Sequence, residues 1–422
     1  MSDQTKRVAV IGAGIVGVST AIHLQRAGHS AILIDREGPA AGTSYGNAGV
    51  LASASVVPVN VPGLWRKAPK MLFDGNQPLF LKWGYLPKLL PWLARYLSYG
   101  KPQETRRIAA ALHGIVGASL EEHQALAAGT GAERYVMASD YVFAYPTRAA
   151  YEADAFGWSI RRAEGFAWDE LGADALAAYE PTLSPSLSFA VRLPNHGRIT
   201  DPGAYVKTLA AHAEATGATI VTATADDIVR ENGRVTGVRV TTASGADTIA
   251  CEAVALCTGV WSGPLAKALG VAAPLESERG YHMELWGANI SPRAPTTITT
   301  GKFVATPMEG RLRLAGIVEF GGLNAPPSRT PFDLLKRQAL AAFPGLTWDE
   351  TREWMGHRPA TVDSIPLIGP SPTLAGAYMG FGHHHIGLTA GPKTGRLLAQ
   401  LIAGQTPNQD ITPYAPARFA SR

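Results

Sequence analysis

The chain has little cysteine. Among 422 residues only Cys251 and Cys257 occur, both in one apolar, strand-like run. That pattern gives neither a disulfide framework nor a zinc spacing, so both read as buried free thiols suited to a reducing compartment. No apolar run is long enough to cross a bilayer. The polar start, Met1 to Lys6, leads straight into a strand-like run, and no secretory leader fits in front of it. The expected location is cytoplasmic, with a peripheral place on the cytoplasmic face of the inner membrane left open. Charge of one sign is also scarce: the net charge is +4, and no basic cluster points to nucleic acid. There is no internal repeat and no low-complexity tract. What remains, 46% hydrophobic and 17% charged residues, is a globular chain long enough for two domains.

The most informative stretch is Arg7 to Arg36. Arg7-Val8-Ala9-Val10-Ile11 reads as a buried strand. Gly12-Ala13-Gly14-Ile15-Val16-Gly17 follows, then a helical pattern to Gly28, then a second strand, Ala31 to Asp35. Gly12 allows a tight turn, Gly14 lets a pyrophosphate approach the backbone, and Gly17 lets the helix pack on the strand. The free N–H groups of the helix start face the phosphates. Asp35 lies roughly twenty residues past the glycines, where a carboxylate meets a ribose. A G-x-G-x-x-G alone is weak, but strand, helix and terminal acid in register make this a dinucleotide site rather than an ordinary glycine-rich turn.

Gly38 to Leu51 is rich in small residues and hydroxyls. It reads as a cofactor-contacting loop, with Thr43, Ser44 and Asn47 as hydrogen-bond partners. Leu79 to Leu97 mixes leucines, tryptophans and tyrosines with lysine and arginine, and its prolines should break it as a helix. Two readings compete: an interfacial membrane segment, or a helical excursion packed on the protein's own surface. Glu104 to Ala128 reads as one helix. Tyr135-Val136-Met137 and Tyr141 to Tyr145 are short strands that can pair in a sheet. Asn195 to Pro202 is a turn, with Thr200 or Asp201 capping a helix begun by Pro202. Asn232-Gly233 between alternating runs predicts a hairpin. Pro274 to Phe343 is strand-rich and reads as the antiparallel sheet of a second domain.

Near the C-terminus, Gly356-His357-Arg358-Pro359 precedes a short strand, then Gly380-Phe381-Gly382-His383-His384-His385-Ile386-Gly387-Leu388-Thr389 and a long helix to Ile402. Three consecutive histidines invite a metal reading. Their side chains cannot converge on one ion without a sharp bend, and no carboxylate or cysteine ligand is close, so no metal is expected.

Taken together, the Gly12–Gly17 motif with Asp35, the Gly42-Thr43-Ser44 to Gly49 block, and the Arg358-Pro359 and Gly382-His383 blocks resemble the FAD-dependent D-amino-acid oxidase superfamily. Within it the chain is most similar to the bacterial D-amino-acid dehydrogenase branch, small-subunit type, over nearly its full length. The resemblance implies an α/β protein: a Rossmann-like FAD-binding domain of the glutathione-reductase type, joined to an α+β domain with an antiparallel substrate-binding sheet. The first would comprise residues 1–100, 198–275 and 352–422, and the second residues 101–197 and 276–351. FAD would be held by Gly12, Gly14, Ile15, Val16 and Gly17 at the pyrophosphate and by Asp35 and Arg36 at the ribose. Thr43, Ser44, Asn47, Ala48, Gly49 and Leu51 would follow the ribityl chain and flavin. Ile228 would meet the adenine, Gly259 would close a second contact, and Gly382, His383, Gly387, Leu388 and Thr389 would line the flavin's pyrimidine edge. Arg358 matches the arginine that clamps the substrate carboxylate. Tyr281 and His282 are further candidates facing the substrate, against a reading as ordinary sheet residues. His384 stands where the family usually has glycine, a departure that would place an imidazole beside the flavin or the substrate and makes it a further catalytic candidate.

The reaction so implied transfers hydride from an amino acid's α-carbon to the flavin, needs no obligatory protein base, and passes electrons to a quinone-type acceptor. Oxidation of glycine, sarcosine, hydroxyproline or another secondary amine by O₂ is the alternative. A third reading, an electron-relay subunit, is disfavoured because a relay has no use for a carboxylate clamp.

Overall fold

The computed structural model describes residues 5–64, 66 and 78–420. A six-stranded sheet runs Leu367–Pro370, Ala377–Phe381, Ala253–Leu256, Arg7–Ile11, Ser30–Asp35, Thr219–Thr222. All its pairings are parallel except that between the first two strands. Such strands are covered on both faces, which is why Val8, Ala9 and Val10 are all apolar and fully buried. Helices Ile15–Arg26 and Gly387–Ile402 pack together over the sheet. The hairpin at Asn232-Gly233 forms as expected, both residues adopting positive φ, and joins Thr224–Glu231 to Arg234–Thr242. With Gly245–Ala250 these strands make a three-stranded antiparallel sheet whose Ile228, Val238 and Val240 share a core with Ile11, Ile32 and Ile34.

The third sheet has ten strands. Its strand Leu275–Trp286 lies between Glu350–Thr361 and Arg311–Phe320, antiparallel to both. Helix Thr330–Ala342 covers it through Phe332, Leu334 and Leu335. The two short tyrosine-rich runs do not pair with each other. They are one strand, Val136–Tyr145, which pairs with Phe189–Ile199 across a bulge near Asp140. The expected helix at 104–128 is two helices, Pro102–Val116 and Ser119–Ala127, interrupted at Gly117 and Ala118. Asp201 caps helix Pro202–Ala215 by accepting the Ala204 N–H at 2.9 Å, but the strand before it runs on to Ile199, leaving a shorter turn.

As expected, the aromatic segment is not one helix: Leu79–Leu81 is a strand and Trp83–Tyr85 a single 3-10 turn, but its prolines do not end the helix that follows. A helix spans Leu86–Ser98 and continues through Pro91. Pro87 occupies the first turn, where no N–H partner exists, so Pro91 forfeits only one backbone bond. Packing offsets that loss: Leu89, Trp92 and Tyr96 lie on one face and bury against Phe320, Ala360 and Val362, and the Trp92 indole donates to the Pro274 carbonyl at 3.0 Å. For that face, the reading as a helix packed on its own protein holds. Trp83, Lys88, Leu90 and Arg95 stay exposed. Within the wider stretch 62–100, residues 65 and 67–77 lie outside the described residues. Among the described residues no helix is long and apolar enough to cross a membrane.

Candidate active site

The C-terminal ends of strands Arg7–Ile11, Ser30–Asp35 and Ala253–Leu256 open into a cavity of about 1580 Å³ whose far wall is the ten-stranded sheet. A site for one small ligand occupies ~300–1,000 Å³, so this volume admits a dinucleotide and a second molecule.

At the dinucleotide end, Gly12 has φ +102°, and a Cβ there would lie 2.5 Å from the Cys257 carbonyl oxygen. At Gly17 a Cβ would lie 1.8 Å from the Gly12 oxygen. Those two glycines serve chain packing. Others bare their backbone to the cavity: a Cβ on Gly42 or Gly259 would meet nothing within 4 Å, and on Gly14 only the Ser44 hydroxyl at 3.1 Å. The Ser44 hydroxyl accepts the Ile15 N–H at 2.9 Å. Asp35 accepts from the amides of Ala13, Glu37 and Gly38 at 2.8–3.0 Å. A carboxylate has about four acceptor sites, so capacity remains for a ribose hydroxyl. Arg36 stacks on Trp261 at 4.3 Å, and both line the cavity. Val16, Thr43, Asn47, Ala48, Leu388, Thr389 and Gly387 line it too. Bared glycine backbone, a helix start and a ribose-ready acid together fit the FAD that the resemblance implies.

The Tyr45–Asn47 loop is pinned from below. Arg313 donates to the carbonyls of Tyr45 and Asn47, and Arg313 and Arg311 share one oxygen of the buried Glu284. The two guanidinium charges hold the Glu284 carboxyl down at about 2 against the opposing effect of burial, which is the largest single influence. Trp354 lies between Gly46 and Gly356, where a Cβ would fall 1.8 and 1.9 Å from its ring, and it stacks on His282 at 5.1 Å.

At the other end, Arg358 lines the cavity and, among the described residues, makes no hydrogen bond or ion pair. Its guanidinium lies against Gly280, where a Cβ would fall 2.6–2.7 Å from Nε, Cζ and Nη2. Glu278, directly across the strand pair from Arg358, also lines the cavity. The three histidines diverge. His383 bonds Thr394 through Nε2 at 3.0 Å. His384 has φ +50° and accepts the Thr361 N–H at Nε2, 2.8 Å away, so its proton resides on Nδ1. His385 lies on the cavity wall, where desolvation and then the Arg358 charge push its imidazole down to about 4. His384 falls to about 3, mainly by burial.

Several expected contacts fall elsewhere. His282 is off the cavity wall: it donates to the Gly46 carbonyl at 3.0 Å, and burial, reinforced by Arg313, pushes it down to about 3. Tyr281 touches the wall, but its hydroxyl donates to Glu319 at 2.6 Å, within a network that includes Arg279 and Ser328. Ile228 is in the core, and Ala223 with Thr224 to Asp226, the start of its strand, reach the cavity instead. Leu51 is fully buried opposite Gly197. Gly49 and Gly382 hold positive-φ turns behind the wall, at Ile199 and Thr361. Sequence reasoning missed Glu278, Gly280, Lys302, Trp354 and His385. Only the strand register, invisible in the chain, brings the first two to Arg358.

Comparison with known proteins agrees with this architecture. The family described as FAD dependent oxidoreductase (DAO) matches residues 7–401. A D-amino-acid oxidase of Bradyrhizobium diazoefficiens is 39% identical over 98% of this chain and 99% of its own. A D-amino acid dehydrogenase of Rhizobium johnstonii is 30% identical over 98% of this chain and all of its own, 100%. The fold is shared with glycine oxidase from Bacillus cereus (TM-score 0.71, 22% identity, 96% of both chains) and with L-proline dehydrogenase from P. horikoshii (TM-score 0.74, 18% identity, 99% of this chain and 100% of the other). The chain therefore belongs to the FAD-dependent oxidoreductase family of D-amino-acid oxidase type, an enzyme family with FAD as cofactor.

Proposed function

We propose that the protein oxidises a D-amino acid to its imine, which water converts to the 2-oxo acid and ammonia, and that the electrons pass to a quinone-type acceptor. The observation that carries this reading is Arg358, a guanidinium on the wall of the cofactor cavity that makes no hydrogen bond or ion pair among the described residues. Its planar fork suits a carboxylate bidentately, as a lysine does not. FAD, when bound along Gly12–Val16, Asp35 and Thr43–Ala48, supplies the hydride acceptor. Arg358 fixes the substrate carboxylate and so the direction of the α-hydrogen, and orientation of this kind accounts for much of catalysis. The start of helix Gly387–Ile402 favours negative charge beside it. The nitrogen must be neutral to release its lone pair, so the substrate's ammonium has to lose a proton before the hydride leaves.

The D enantiomer is supported by the names of the two curated relatives. The exposed Trp83 and Leu90 beside Lys88 and Arg95 support contact with a membrane that holds quinone. A second reading, with O₂ as acceptor, is favoured by the relative at 39% identity, which is named an oxidase. The test is anaerobic mixing with D-amino acids, L-amino acids, D-hydroxyproline and sarcosine while the flavin band is followed, then admission of air or a quinone analogue. Bleaching by D-substrates with fast recovery only on quinone supports the proposal. Fast recovery in air with peroxide moves it to the oxidase. No bleaching by any amino acid sinks both.

A further inference from the structure

Glu278 has no part in the reading above, yet its position is unusual. It is 5% exposed, it lines the same cavity as Arg358, and among the described residues its carboxylate makes no hydrogen bond or ion pair. Burying a carboxylate without a partner is costly unless a cation arrives to meet it. Glu278 and Arg358 are directly opposed on neighbouring antiparallel strands, which places their Cα atoms ~4.5–5.5 Å apart. A carboxylate held by Arg358 therefore brings the adjacent α-carbon and its nitrogen into the reach of Glu278. Separated charges of opposite sign on one wall match a zwitterion.

We propose that Glu278 receives the substrate's ammonium group and takes its proton. This rests on the amino-acid reading of the site. One N–H bond breaks, its electron pair stays on nitrogen as the lone pair that oxidation requires, and the proton moves to a Glu278 carboxylate oxygen. Substrate then enters as the abundant zwitterion instead of the scarce free amine. The sequence suggested that no protein base was needed, and the strand register supplies one.

The surroundings suit the role. Arg358 faces Glu278 from one neighbouring strand and the uncharged Phe320 from the other. Tyr96 approaches from helix Leu86–Ser98, its hydroxyl bonded to Ser364 and its pKa pushed far up. Glu276, on the same strand, is engaged by the Tyr85 hydroxyl and the Ser277 amide. Burial lifts the Glu278 carboxyl to about 6, with Arg358 opposing and Glu276 adding to the rise. It is thus ionised at neutral pH, as a base must be.

The test compares Glu278→Gln and Glu278→Asp holoenzymes with wild type, reading kcat/KM for the best D-amino acid from pH 6 to 10 and thermal stability at pH 8. In E278Q, kcat/KM falls at least tenfold at pH 7, and the deficit shrinks by about tenfold per pH unit toward the free amine's pKa, because substrate then arrives neutral. E278D recovers part of the loss at pH 7. E278Q melts no lower than wild type, because the amide removes an unpaired buried charge. A wild-type pH profile in E278Q, or a loss equal at every pH with a lowered melting temperature, overturns the proposal, the latter marking a structural role. If wild type itself oxidises no amino acid, it is the amino-acid reading that has failed.

Discussion

Gly280→Ala tests whether the Arg358 guanidinium works where it lies. Gly280 is mid-strand with no left-handed backbone, so alanine suits the conformation. Replacing glycine inside a strand gains about 0.5–1 kcal/mol of stability on its own. The new Cβ, however, would lie 2.6 Å from Nε of Arg358, whereas ordinary contact begins at about 3.4 Å, so the guanidinium must retreat by about 0.8 Å. Misplacing a reacting group by ~1 Å costs on the order of 10²-fold. The expected fall in kcat/KM is therefore roughly 30- to 100-fold, or about 2–2.7 kcal/mol of transition-state stabilisation. The assay is anaerobic flavin reduction by the best amino acid, with melting temperature and flavin content measured alongside. The fold and cofactor are expected to survive unchanged. A double-mutant cycle isolates the cause: on an Arg358→Ala background the Gly280→Ala change should add almost nothing. Full activity in the single variant, or the same fold-loss on both backgrounds, would refute the argument that the arginine's position is what matters.

Three further perturbations follow from the same geometry. Arg358→Lys keeps the charge and loses the fork; forfeiting a charge-assisted hydrogen bond costs about 1.5–3 kcal/mol, and a rise in KM exceeding any fall in kcat is the pattern to look for. Glu284→Gln leaves Arg311 and Arg313 without their shared carboxylate, at about 3–5 kcal/mol, and by loosening Arg313 under the Tyr45 and Asn47 carbonyls it also weakens FAD retention, read by denaturant titration and by flavin released on dialysis. The Glu284 carboxyl is depressed in the folded state to about 2, so its contribution is full above the unfolded value of ~4.3 and is lost as pH falls toward 2; a variant with unaltered acid sensitivity would contradict this. His384→Ala keeps the left-handed backbone strain and loses the Thr361 bond, whereas His384→Gly loses the bond but relieves the strain, so the alanine variant should melt lower by about 1–2 kcal/mol, and equal melting would show that the strain is not there.

Local chemistry was legible where it is local in the chain. Gly12, Gly14 and Gly17 with Asp35 announced strand, turn, helix and strand, because each step needs a residue whose backbone freedom or charge is visible without a partner. Asn232-Gly233 announced its hairpin, and Asp201 its helix cap, for the same reason. Arg358 stood out through its motif. The errors arose where packing overrode a local preference. Pro91 remained inside a helix because Leu89, Trp92 and Tyr96 had a sheet to bury against. His282 looked like a site residue but lies off the cavity wall with its Nδ1 taken by the Gly46 carbonyl, whereas Tyr281 does reach the wall, its hydroxyl held by Glu319.

By itself, then, the sequence determined the nucleotide-binding unit and the family resemblance and singled out Arg358, since these depend on residue type at short spacing. The tertiary structure alone decided what surrounds Arg358. Gly280 and Glu278 lie about eighty residues before Arg358 in the chain, and antiparallel pairing of Leu275–Trp286 with Glu350–Thr361 brings them to it. A shift of one residue in that register would turn Glu278 to the opposite face of the sheet, because strand side chains alternate. Long-range register, fixed by the burial of whole sheet faces, is the quantity that a single sequence does not display.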